Sequence, residues 1–303
     1  MKLTAFLRNN SFVLLLLCGF VLVDVALSIW DPMSTSLRFY KNDFTKTILH
    51  HEGRTSGTVF YGNSAVTGAY MEDKAQHPLV EMGLSYGKLT DLQQIMEQGR
   101  YTFTDRLVIG IDAHTMLDAL PTDDTYPWFK PWYEPYIYYY RDYFRDTGRK
   151  WLLGAAKGQL LAYEPAWTDK LLYYGHKPPE DLRKDWERYE KLFNWMTVEQ
   201  DMKDNFTALE WVLSRTKATG LPVSIVLMPI NPDPAYPQPA YIGPLHDKVM
   251  EIAKAHGIPA LDLMHKYAAS DFHDLVHLNR EEGAPKLTKE VDQWLQTSAS
   301  SSK

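Results

Sequence analysis

Cysteine is nearly missing from this sequence. The single one, Cys18, sits inside an N-terminal apolar run, so an intramolecular disulfide and a Cys-built zinc site are both excluded. Leu17 precedes it where a lipidated cysteine follows a small residue, which argues against a lipoprotein. Clustered positive charge is also lacking. Lys and Arg number 32 against 38 Asp and Glu, for a formal net charge of −6, and a general nucleic-acid partner is not expected because neutralising phosphates takes grouped cations. No Walker-type loop and no Gly-x-Gly-x-x-Gly follow the first β-like run, so no nucleotide cofactor is expected. The ten His residues include no His-Glu-x-x-His pattern. No metal is expected, and the one conceivable zinc set is Asp271, His273 and His277.

What is present begins with Ser11 to Trp30, a 20-residue stretch that is apolar apart from Ser11, Asp24 and Ser28. At ~1.5 Å per residue such a helix crosses a ~30 Å hydrocarbon core. Lys2 and Arg8 precede it and Asp31 follows, so the positive-inside rule puts the N-terminus in the cytoplasm and the rest outside. The expected location is therefore a cell membrane, single-pass, with an extracytoplasmic domain. A cleaved signal peptide is the alternative, with a weak small-x-small site at Ala26 and Ser28. Asp24 is costly at membrane depth unless it is protonated, paired or close enough to the outer interface to be hydrated. The expected organisation is an anchor over 1–32, a folded domain over 50–296 and a disordered tail over 297–303.

Five β-like runs follow: Thr58–Tyr61, Pro78–Met82, Arg106–Ile111, Pro222–Met228 and Ile258–Leu263. They are continuous rather than alternating, as in parallel strands covered on both faces. Helical patterns over Thr90–Gln98, Asp181–Ala218, Tyr241–His256 and Pro285–Leu295 separate or follow them, with Ser85 or Thr90 as the first cap and Gly257 as a stop. Strands alternating with helices predict an α/β fold with a parallel sheet. The gap between the third and fourth runs is too long for one crossover and predicts an insertion at about 115–180. Its first half is dense in aromatics, among them Trp128, Phe129, Trp132, Tyr138, Tyr139 and Tyr140. These rings suit sugar stacking, a membrane interface or the insertion's own small core.

Two short segments carry chemistry. Val59-Phe60-Tyr61-Gly62-Asn63-Ser64 ends a buried strand in a tight turn, presenting Ser64 at the carboxyl edge where open α/β sheets bind ligands. Near the C-terminus, Asp274-Leu275-Val276-His277 supplies a base for a serine proton and a carboxylate to orient that base. Asp271 and His273 are rivals for these roles.

Taken in this order and at these places, Gly62-Asn63-Ser64 and Asp274-x-x-His277 resemble the blocks of the SGNH/GDSL hydrolase superfamily. The resemblance implies a flavodoxin-like five-stranded parallel sheet with helices on both faces. It also implies Ser64 as nucleophile, His277 as general base and Asp274 as its partner. The oxyanion donors it implies are the N–H of Ser64 and that of Gly83 or Gly87. The third block departs from the family: Gly110-Ile111-Asp112-Ala113-His114 has no Asn donor, so Asp112 is expected to be structural or to bind something else. With the N-terminal anchor, this departure resembles the DltD-like and alginate-acetylation-like subgroup. That resemblance implies an extracytoplasmic acyltransferase moving an acetyl or alanyl group onto an envelope polysaccharide or teichoic-acid-like polymer. A membrane-bound O-acyltransferase would be its partner. An esterase of envelope glycans and a non-catalytic scaffold are the alternatives.

Overall fold

The computed structural model describes residues 10–30, 47, 51, 55–120, 137, 148, 152–154 and 173–300. Most of the expected insertion lies outside them, as do residues 301–303 of the expected tail. The chain divides into two compact units, one of residues 1–46 with 124–168 and one of residues 47–123 with 169–303. In the first, helix α1 (Ser11–Trp30) is long and apolar enough to cross a membrane.

The second unit holds a five-stranded sheet. In chain order it contains β1 (Ser56–Asn63), α2 (Ser64–Ala69), β2 (Val80–Leu84), α3 (Leu89–Glu97), β3 (Thr102–Ile111) and α4 (Ala113–Met116). There follow α5 (Pro179–Leu192), α6 (Val198–Asp201), α7 (Lys203–Thr219), β4 (Val223–Leu227), α8 (Ile242–His256), β5 (Ala260–Asp262) and α9 (Gly283–Ser300). All pairings are parallel and the order is β2-β1-β3-β4-β5. This is the doubly wound flavodoxin-like order, whose switch point lies between β1 and β3.

Alternating side chains leave the strands on opposite faces. Phe60, Val108 and Val226 pack with Ala65, Val66 and Ala69 of α2 and with Leu287 and Val291 of α9. Val59, Tyr61, Leu107, Ile109 and Ile225 have the opposite parity and are fully buried. On that side the Tyr61 hydroxyl donates to the Lys88 carbonyl just before α3. Each fully buried side chain of this kind contributes roughly 1.5–3 kcal/mol, so the sheet is held by both faces. Polar ties fix α9: Thr288 accepts the Met71 N–H at 2.9 Å, and Asp292 accepts those of Gln76 and His77.

Three details differ from the sequence expectations. The single helix over 181–218 is broken into α5, α6 and α7. Asp118 causes the last break, since its carboxylate accepts the backbone N–H groups of Asp204 and Asn205 and so caps α7 from a distant loop. Helix α3 is capped neither by Ser85 nor by Thr90; Asp91 reaches back to the Lys88 N–H at 2.7 Å. Helix α9 runs on to Ser300, so 297–300, expected as tail, are helical.

Candidate active site

The carboxyl ends of β1 and β3 converge at the switch point, and both turns are built by close packing. A Cβ on Gly62 would meet Val66 Cγ2 at 2.3 Å, and one on Gly110 would meet the same methyl at 2.5 Å. Only glycines on the two strands let α2 lie this close to the sheet. Asn63 caps that helix, its Oδ1 accepting the Ala65 N–H at 2.8 Å. Ser64 is therefore the first helical residue, at the positive end of a short helix.

His277 Nε2 lies 2.9 Å from Ser64 Oγ. Its Nδ1 lies 3.0 Å from both carboxylate oxygens of Asp274. The loop that presents the pair is tight: Asp274 Oδ1 also accepts the N–H groups of Val276 and His277, and the His273 N–H donates to the His277 carbonyl. Burial alone would raise the Asp274 pKa. The charge and hydrogen bond of His277 and those two N–H groups outweigh it and hold the carboxyl well below the usual range. An ionised carboxylate on Nδ1 fixes the tautomer that leaves Nε2 free to take the serine proton.

The rival residues are employed elsewhere. Asp271 is buried, accepts the Ala268 N–H and binds Lys286 Nζ. The His273 ring bonds to the Gly175 carbonyl at 3.0 Å.

Asp112 has the structural role that was one of the two expected for it. Its Oδ1 accepts from Asn63 Nδ2 at 2.8 Å and from the N–H and hydroxyl of Thr115, each at 2.7 Å. Burial would raise its pKa, but the contacts of His114 and Thr115 lower it. It thus caps α4 and locks the Asn63 amide beside Ser64.

The two glycines considered as oxyanion donors already have acceptors. The Gly83 N–H donates to the Glu81 carboxylate, and that of Gly87 to the Leu84 carbonyl at 2.8 Å. Neither is in a position to give that hydrogen to a reacting oxygen in this arrangement. The Ser64 N–H opens α2 and so has no carbonyl four residues back within its helix.

Sequence reasoning missed the supports of the imidazole. Tyr173 stacks on His277, with centroids 4.0 Å apart and planes 14° from parallel. Asn231 Nδ2 donates to the Asp274 carbonyl at 3.0 Å, and Lys177 Nζ lies 3.7 Å from Asp274 Oδ2. None belongs to a motif. The one sequence signal is Tyr173-Tyr174-Gly175, a turn-like stretch in a region otherwise read as insertion.

Beside the site lies an open cleft lined by Asp112, His114, Leu275 and Val276 among others. Trp186 and Tyr236 are among its walls. The Trp186 Nε1–H donates to the Pro237 carbonyl at 3.3 Å, which fixes the indole.

No family model matches this chain, and no curated protein matches it. Among solved structures it is similar to an acetyl xylan esterase, with a TM-score of 0.38 and 13% identity. The match covers 80% of this chain and 98% of the esterase. At that distance the chemistry has to rest on the site itself.

Proposed function

We propose that this protein is an extracytoplasmic serine acyltransferase that moves an acetyl or alanyl group onto a cell-envelope or exopolysaccharide polymer. One observation carries the reading: Ser64 Oγ, His277 Nε2 and Asp274 are joined in a single hydrogen-bonded line. Ser64 Oγ attacks the acyl carbonyl carbon while His277 Nε2 takes its proton. The bond to the donor's leaving atom breaks, and His277 returns the proton to that atom. The acyl-Ser64 ester remains. A polymer hydroxyl then attacks the ester, giving its proton to His277, and Ser64 Oγ leaves and is reprotonated. Asp274 stabilises the imidazolium formed in each half. With water in place of the polymer hydroxyl, the same residues make an esterase of envelope glycans.

Placement outside the membrane follows from reading α1 as an uncleaved anchor. The cleft beside the site, walled by Trp186 and Tyr236, suits a sugar ring, whose C–H faces pack on aromatic surfaces. A membrane-bound O-acyltransferase that supplies the acyl group is the partner proposed.

A fluorophosphonate probe tests the shared first step. Wild-type protein becomes labelled and Ser64→Ala does not. An unlabelled wild type would sink the catalytic reading and leave a scaffold. If labelled protein fails to hydrolyse small acetyl esters while Ser64→Ala cells lose polymer acylation, transfer is favoured over hydrolysis.

A further inference from the structure

Leu275 and Val276, which separate Asp274 from His277 in the chain, line the open cleft, and so do Asp112 and His114 after β3. Whatever occupies it therefore lies next to the catalytic loop. Asp112 is buried, and its Oδ1 is taken up by Asn63 and Thr115. Its Oδ2 faces the His114 ring, with Nδ1 3.7 Å away. That is too long for a direct hydrogen bond, but the carboxylate's charge still favours a hydrogen on Nδ1. The Nε2 lone pair is then left to accept from a donor in the cleft. Tyr189 and Phe193 hold the imidazole in place, with ring centroids 5.4 and 5.5 Å from it.

The same lining is poor in charge. Among its described residues none is Lys or Arg, and Asp112 is the one carboxylate. Lys177, beside Asp274, and Arg188, next to Tyr189 in sequence, both bond to Asp185, at 2.7 and 3.0 Å. A phosphate or uronate group entering the cleft would leave water with no cation of the lining to meet it, and would face a carboxylate of its own sign. An uncharged sugar loses far less. Its C–H faces pack on Trp186 and Tyr236, as sugar rings do on aromatic surfaces, and the donors it offers are hydroxyls.

We propose that the cleft takes an uncharged sugar unit of the glycan and that His114 selects it, accepting at Nε2 a hydrogen bond from a hydroxyl other than the one that reacts. The inference rests on reading Ser64 as the nucleophile of an enzyme acting on a glycan. It narrows that glycan to neutral chains and excludes polyuronates and poly(glycerol phosphate). His114 is a specificity residue here: it holds the sugar in register, while the protons of the reaction pass through His277.

Isothermal titration calorimetry of the full chain, in micelles of a detergent without a sugar headgroup, tests this directly. The neutral probes are cellohexaose, xylohexaose, mannohexaose and hexa-N-acetylchitohexaose; the anionic ones are hexamers of galacturonate and of glycerol phosphate. At least one neutral probe is expected to bind about tenfold or more tightly than either anionic one. His114→Phe keeps the ring contacts but lacks the nitrogen, and weakens that binding by about tenfold, the scale of one lost hydrogen bond. His114→Gln, whose amide oxygen takes the place of Nε2, retains most of it. Anionic probes that bind as well, or no binding of any neutral probe, overturn the neutral occupant. Equal binding by wild type and His114→Phe overturns the role of His114. Protein that binds a neutral probe but resists fluorophosphonate loses the catalytic reading and keeps this occupant, whereas labelled protein that binds no saccharide does the reverse.

Discussion

The Tyr173 ring lies flat on the His277 imidazole at 4.0 Å, and its backbone holds φ at +59°, a conformation that tyrosine rarely adopts. The loop on either side is tied down: the Arg280 N–H donates to the Tyr173 carbonyl at 3.0 Å, and Asn279 Nδ2 to that of Gly175. A strained backbone held by its neighbours suits a residue that fixes another group. Gly68 backs onto both partners of the stack, since a Cβ there would stand 3.1 Å from Tyr173 Cδ2 and 3.4 Å from His277 Cβ.

Tyr173→Ala frees the imidazole to swing away from Ser64. The rate of fluorophosphonate labelling is expected to fall by about 10- to 100-fold, the scale on which small misplacements of catalytic groups cost rate. Tyr173→Phe keeps the stack and nearly the full rate. Tyr173→Gly loses the ring but relieves the backbone, so it unfolds at higher urea than Tyr173→Ala by about 1 kcal/mol. Equal labelling by the alanine and phenylalanine variants would show that the ring does not position His277.

Removing Asp112 tests whether that residue acts through Asn63. Asp112→Ala leaves the buried Asn63 amide and the Thr115 N–H without their acceptor. Urea denaturation is expected to show a loss of about 1–3 kcal/mol, and labelling of Ser64 to slow. A variant that is destabilised yet labels at the wild-type rate would confine Asp112 to folding.

Glu81 and Asp274 give opposite pH signatures. Burial pushes the Glu81 carboxyl up from 4.5 to about 7, opposed by the Gly83 N–H and assisted by Glu72. Between these values the folded chain binds more protons than the unfolded one. This contribution to stability therefore falls as pH rises from about 4.5 to 7 and is flat above. Asp274 is shifted the other way, so its contribution is present above the ordinary carboxylate range and fades only in acid. Urea midpoints of wild type and Glu81→Gln at pH 4.5 and pH 8 should diverge. The variant gains on the order of 1–3 kcal/mol relative to wild type at the higher pH. A difference independent of pH would rule out the raised Glu81 pKa.

Much of the sheet is legible in the sequence because buried parallel strands leave continuous apolar runs, and all five observed strands overlap those runs. Ser64, Asp274 and His277 are legible because each lies in a short motif at a strand end or on a local turn. Their neighbours are not. Whether Gly83 or Gly87 has a spare N–H depends on where the Glu81 side chain folds back and on a turn closed by Leu84, and neither leaves a pattern. Tyr173 and Asn231 reach the site from loops far from it in sequence, and the break before α7 is made by Asp118, 85 positions before Lys203. Long-range partners of this kind carry no local periodicity.

The sheet order also sets a timetable. Strands β2, β1 and β3 are contiguous in the chain, so the half that holds Ser64 can assemble early during synthesis. The imidazole that hydrogen-bonds it comes 213 positions later, after the last strand of the sheet. Until the C-terminal loop docks, the emerging polypeptide carries a serine without a base. A chain interrupted anywhere before residue 277 therefore lacks the imidazole that hydrogen-bonds Ser64.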